Sequence, residues 1–298
     1  MQSDNKSIFS ILENDFEKTA KKEFNLWLKR NEEYRKHVKK MNELLKLKGN
    51  NKFQPKYTAN FWTGKRKGRH KPRTIIVSLN PGFNRERAKG LTKRNRQVND
   101  WNTYSSKHDN GFAKLGEARI KEGKRQSQFF RAWYALFSGL YGKQKMTAKT
   151  DRYNFFDKNI LSLNLFPFHS NKSSEFKRRF PPKILALVIP HVSNLLEFIN
   201  KKNPKDVCIF NGKVWDTLLF THGLIPKKRK KEYKKVRLVK APNGTIYHIK
   251  FFKYKKVKCV LFTKFLSSLG HEKMTDEKIR VRIAKKIKRQ YPSTWCAR

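Results

Sequence analysis

Thr74-Ile75-Ile76-Val77-Ser78-Leu79-Asn80-Pro81-Gly82 is the stretch whose reading decides the fold. Residues 74–79 form a short, nearly continuous apolar run. A strand with one wet face alternates apolar and polar residues. A run without that alternation belongs to a strand covered on both faces, the usual state of a parallel sheet between helices. Asn80-Pro81-Gly82 then ends the strand, because proline offers no ladder N–H and glycine permits a sharp turn.

Working outward, similar runs occur at Asn159–Asn164, Val207–Asn211 and Lys258–Thr263. Between them lie helical patterns. Gln126–Tyr141 places Phe129, Phe130, Trp133, Phe137 and Leu140 on one side, and Pro182–Asn200 reads as a helix kinked at Pro190. Trp215–Phe220 reads as a short helix, and residues 275–290 as a basic terminal one. Val236–Tyr254 alternates around Pro242-Asn243-Gly244, the pattern of a β-hairpin. Residues 7–48 are helical by spacing, 50–73 are loop-like, and the stretch after Gly82 is polar and basic to about residue 125. Strands alternating with helices predict an α/β fold, a three-layer α/β/α sandwich with a short, mainly parallel central sheet. A basic helical N-terminal extension over 1–60 is expected to precede a domain over 61–298.

Composition narrows the partners. The 298 residues carry 71 Lys and Arg against 23 Asp and Glu, a net charge of +48. Such charge repels itself in one particle unless a polyanion neutralises it, and DNA, double- or single-stranded, is the expected partner. A membrane surface is the weaker alternative, since neither a lipidation signal nor a strongly apolar basic helix is evident. No apolar run reaches membrane-spanning length, and the first residues lack a signal-peptide block. Cys208, Cys259 and Cys296 are too widely spaced for a metal or disulfide pattern, and the first two read as small core residues. The expectation is a cytoplasmic monomer without metal or cofactor. Basic clusters nominate DNA contacts: Lys65, Arg66 and Lys67; Arg85 and Arg87; and Lys227, Lys228 and Arg229.

Three strand ends carry the chemistry, because ligands of open α/β sheets bind at carboxyl ends. The first is Ser78-Leu79-Asn80-Pro81-Gly82-Phe83-Asn84 and the second Ser162-Leu163-Asn164-Leu165-Phe166-Pro167-Phe168-His169. The third is Phe262-Thr263-Lys264-Phe265-Leu266-Ser267. An Asn amide presents both a donor and an acceptor, which suits the edge of a nucleobase. In order and placement these islands resemble the uracil-DNA glycosylase superfamily, especially its mismatch-specific and single-strand-selective branches. The resemblance spans roughly residues 74–270.

That resemblance implies roles. Asn80 would position the water that attacks the sugar C1′, and Gly82, followed by Phe83, would leave room beside the pyrimidine. Asn164 would hydrogen-bond the flipped base, and Phe112 would stack on it, with Trp101 and Tyr104 as substitutes. The third island departs from the family, which carries a histidine where this chain has Lys264-Phe265-Leu266-Ser267. Lys264, or His169 from the second island, would then stabilise the departing base anion, with Ser267 beside it. The function implied is a monofunctional DNA glycosylase of base-excision repair, acting on uracil foremost. Two alternatives stand beside it. One is the same fold acting on a hypermodified phage pyrimidine in phage defence, and the other a non-catalytic nucleic-acid-binding protein.

Overall fold

The computed structural model describes residues 15–29, 32–49, 52–55, 59–66, 71–79, 98–109, 111–112, 128–142, 149–168, 182–221, 223–225, 236–240, 246–263 and 273–292. The elements in chain order are α1 (Phe16–Leu28), α2 (Glu32–Leu44), β1 (Trp62–Thr63), β2 (Thr74–Ser78), α3 (Trp101–Asp109), α4 (Gln128–Tyr141) and α5 (Lys149–Asn159). There follow β3 (Ile160–Asn164), α6 (Pro182–Lys202), β4 (Val207–Asn211) and α7 (Val214–Asp216), which runs on as a π turn (Thr217–Thr221). The hairpin strands β5 (Val236–Lys240) and β6 (Ile246–Tyr254), then β7 (Val257–Phe262) and α8 (Lys273–Gln290), complete the chain.

The seven strands form one sheet in the order β1-β3-β2-β4-β7-β6-β5. Its centre, β3-β2-β4-β7, is parallel. β1 adds an antiparallel edge beside β3, and the β5–β6 hairpin extends the other side antiparallel to β7. The fold is therefore mixed α/β, and the first and last apolar runs share one sheet, as the sequence predicts.

Side chains along the central strands divide by their period of two. Ile75, Val77, Leu161, Leu163, Cys208, Phe210, Cys259 and Leu261 join one core cluster with α1, α2 and α6. Ile76, Ile160, Val207, Ile209, Val260 and Phe262 join a second with α4, α5 and α8. Each large apolar side chain so buried contributes about 1.5–3 kcal/mol by leaving water. Cys208 and Cys259 are register partners inside the first cluster.

Residues 15–48 are built into the first cluster. Asp15 caps α1 by accepting the Glu17 and Lys18 N–H groups at 2.8 and 3.1 Å. The next residue, Phe16, packs against Phe61 and Phe198. On the other side, α4 and α8 meet where Gly139 faces Ala284; a Cβ on Gly139 would lie 2.7 Å from the alanine methyl, so only glycine permits this approach. The sequence left α3 and α5 within polar or unassigned stretches, because few of their residues are apolar.

Candidate functional site at the carboxyl edge

From β2 the chain crosses to β3 on one side, and from β4 it proceeds to β7 on the other. The border between β2 and β4 is thus the point where strand order reverses, the place beyond the carboxyl ends at which open α/β sheets bind their ligands. Ser78 is paired with Asn164, Val77 with Phe210, and Asn211 with Phe262. One step beyond the Val77–Phe210 pair, the ladder sets Ser78 beside Asn211. By the period of two, Asn164, Ser78 and Asn211 share the sheet face of Ile160, Ile76 and Ile209. Two residues below them, the same face carries Ser162, Ile76, Ile209 and Val260. A polar row therefore tops a largely apolar face, across three adjacent strands.

The row is held firmly. Asn164 and Asn211 are only 7% and 3% exposed, and Ser78 is half-buried. The Asn164 backbone N–H donates to the Phe61 carbonyl at 3.0 Å, and its side-chain Nδ2 to the Asn60 carbonyl at 2.8 Å. A carbonyl only accepts, so this bond fixes which way round the Asn164 amide lies. Oδ1 and the second N–H are left to present. The Ser78 carbonyl accepts from Leu165 N–H at 2.9 Å, and Asn60 N–H donates to Pro167 O at 2.6 Å, tying the strand ends together.

Two polar atoms here have no partner among the described residues: Ser78 Oγ and Asn60 Oδ1. A buried polar atom without a hydrogen bond costs about 1–3 kcal/mol, so each is a standing invitation to a ligand. Just behind the row, His191 Nε2 donates to the Leu165 carbonyl at 3.0 Å. Burial pushes the His191 pKa down from 6.5 to about 4, so the ring is neutral near pH 7. The row carries neutral donors and acceptors and no carboxylate, the equipment for reading a polar heterocycle edge.

Asn211 is absent from the sequence-derived site. The signal was present, since the run Val207–Asn211 ends in Asn as the second strand does, but only the strand order shows that it stands at this border. Of the nominated residues, Asn164 is in the row and Lys65 is exposed.

Phe112 corrects the expectation of a base-stacking ring. It is 2% exposed, packed on Phe156 at 5.4 Å in the second core cluster, with its N–H bonded to Asp157 at 2.9 Å. Tyr104 is likewise buried, its hydroxyl donating to the Ala59 carbonyl, and Trp101 stacks on it at 5.5 Å.

Arg66 is a second correction. It is 5% exposed rather than a DNA contact. Its guanidinium meets Glu17 at 2.5 Å and Ser105 at 2.7 Å, and lies 4.4 Å above the Trp62 ring. Carboxylate and ring together hold the charge inside, where a phosphate has no access. Asn80, Gly82, Phe83, His169, Lys264, Ser267, Lys67, Arg85, Arg87, Lys227, Lys228 and Arg229 lie outside the described residues.

No group of three or more His, Cys, Asp or Glu among the described residues is arranged to hold a metal ion. None of the helices described is long and apolar enough to cross a membrane. Comparison with models of known protein families finds no match, and comparison with curated proteins finds none either.

Proposed function

We propose that the chain is a DNA glycosylase on a three-layer α/β/α scaffold. It takes a damaged or modified pyrimidine, uracil foremost, out of DNA and hydrolyses its N-glycosidic bond. The polar row Asn164–Ser78–Asn211 at the switch point of the sheet carries this proposal, in a chain of charge +48. Helices contributing to separate core clusters on the two sheet faces support the layered scaffold.

The chemistry follows from need. A base inside a duplex is out of reach, so it is flipped, at a cost of a few kcal/mol. The pinned Asn164 amide and the neighbouring Asn211 offer the mixed donors and acceptors that a pyrimidine edge requires. Cleavage leaves negative charge on the departing base, which preorganised neutral donors stabilise without reorganising. Asn80, two residues beyond Ser78 in the chain, takes the water-positioning role that the family resemblance implies.

The test is a panel of oligonucleotides bearing uracil, other deaminated bases or modified cytosines, with strand cleavage at any abasic site produced. Excision of at least one base is expected. Asn80→Ala should abolish it with DNA affinity nearly intact, because phosphate contacts are spread over many Lys and Arg. Asn164→Ala and Asn211→Ala should each narrow discrimination between bases by about 1–3 kcal/mol. If no base is released from any substrate while DNA is still bound, the glycosylase proposal fails and the non-catalytic alternative takes its place.

A further inference from the structure

We infer a second nucleic-acid surface, formed by the C-terminal half of α8 and the β6–β7 turn, at the far end of the sheet from the polar row. It rests on nucleic acid being the partner but not on glycosylase chemistry. Four basic side chains of α8 are exposed on its outer side: Arg282, Lys285, Lys286 and Arg289. The buried side, Ile279, Ile283, Ala284 and Ile287, faces the second core cluster. From Ile279 to Gln290 the helix has no acidic residue.

The stripe is anchored to further positive charge. The Tyr291 hydroxyl reaches the Phe252 and Cys259 carbonyl oxygens, both at 3.1 Å, and so pins the end of α8 over β6 and β7. Lys258 Nζ lies 5.8 Å from the centre of the Tyr291 ring, and Lys253 and Lys256 are exposed on the same turn. Lys255, on the same turn, is paired with Glu197 at 2.7 Å. This turn stands at the Val257 end of β7, about 17 Å along the strand from Phe262 and the carboxyl edge.

The contrast with α2 argues that α8 is more than a solvated face. The outer residues of α2 are also basic, but Glu32 and Glu33 before them and Glu43 after them lie within one helical turn, and Lys36 pairs with Glu32 at 3.3 Å. A face flanked by acids at that spacing answers part of its own charge, whereas a stripe of one sign calls for anions from outside. From Arg282 to Arg289 the stripe runs about 10 Å. A duplex presents a phosphate charge every 1.7 Å or so of its axis, so several phosphates fall opposite it. Single-strand binders place aromatic rings between such charges for bases to stack on. Here Phe251, Phe252 and Tyr291 are buried, and half-exposed Tyr254 is bonded to Glu197 at 2.6 Å. The surface therefore suits the backbone of a duplex.

The experiment measures binding of an unmodified fluorescent duplex between 50 and 200 mM salt. It compares wild type, Lys285→Gln/Lys286→Gln/Arg289→Gln on α8, and Lys36→Gln/Lys39→Gln/Lys40→Gln on α2. Both triples remove equal charge from exposed positions. The α8 triple should flatten the slope of log K against log salt by about 2–3, at roughly 0.9 per phosphate contact, and the α2 triple by less than about 1. A charge-keeping Lys285→Arg/Lys286→Arg variant should retain the wild-type slope, which separates contact loss from misfolding. Equal slopes for the two triples overturn the inference. So does an α8 triple that loses only its binding to phosphatidylserine vesicles. A wild type that binds no duplex at any salt defeats the wider nucleic-acid assignment, whereas binding with unmoved slopes defeats this surface alone.

Discussion

At the amino end of the parallel sheet, polar side chains close on one another; at the carboxyl end, Ser78 Oγ and Asn60 Oδ1 have no partner among the described residues. Arg73 pairs with Asp206 at 2.8 Å and lies 4.3 Å above the Tyr141 ring, while Thr74 shares a 2.6 Å hydrogen bond with the Tyr141 hydroxyl. The Arg73 carbonyl accepts from Asp206 N–H at 2.8 Å, joining the entrances of β2 and β4. At the other end of β2, Ser78 Oγ is buried, as is Asn60 Oδ1 just before β1, and neither has a partner among the described residues. Thr74 and Ser78 stand on one strand and one face, four residues apart. One end is closed by its own hydrogen bonds, and the other is the end at which the general rule for open α/β sheets places a ligand.

The difference can be broken most forcefully at the amino end. Arg73→Ala leaves the Asp206 carboxylate, which burial already pushes above its usual pKa, without its cation. The variant should lose about 3 kcal/mol of stability in urea unfolding. A loss below about 1 kcal/mol would show that the closed end is not the stabilising one.

Acid should act on the carboxyl end through His191. Its folded pKa is depressed from 6.5 to about 4, so the unfolded chain takes up a proton that the folded chain refuses. The stability contribution is complete above pH 6.5 and drains away as pH falls towards 4, by about 3 kcal/mol across the window. His191→Gln should show a correspondingly flatter profile between pH 7 and 4. Parallel profiles for the two proteins would remove His191 as the cause.

The sharpest comparison has the smallest effects. Thr74→Val should destabilise by about 1 kcal/mol, because it removes a satisfied hydrogen bond. Ser78→Ala should fall within about 0.5 kcal/mol of wild type, or exceed it, because it removes a buried hydroxyl with no partner among the described residues. Equal losses at the two positions would mean that the ends of β2 do not differ.

Much of the scaffold was legible locally. Strands buried on both faces read as unbroken apolar runs whatever their neighbours, so the four central strands fell within a residue or so of their observed bounds. The hairpin and the helices α4, α6 and α8 likewise announced themselves by period and turn residues. Weakly apolar α3 and α5 did not, since a helix that buries few side chains leaves little periodic signal. Basic residues misled at Arg66, where a cluster counted as surface charge includes a side chain enclosed by Glu17, Ser105 and Trp62. Phe112 misled in the opposite sense, as an aromatic residue that serves the core.

The α/β core, the course of its central strands and the net charge of +48 are all legible in the residues alone. These properties depend on residue type and short-range spacing, which any window of the chain displays. The place of β2 between β3 and β4, the single row of Asn164, Ser78 and Asn211, and the burial of α1 and α2 in the core come from packing across the whole fold. Those facts depend on contacts between segments distant in sequence, such as the 104 residues from Asn60 to Asn164. Such pairing is chosen by how whole faces fit together, and no local pattern records its partner.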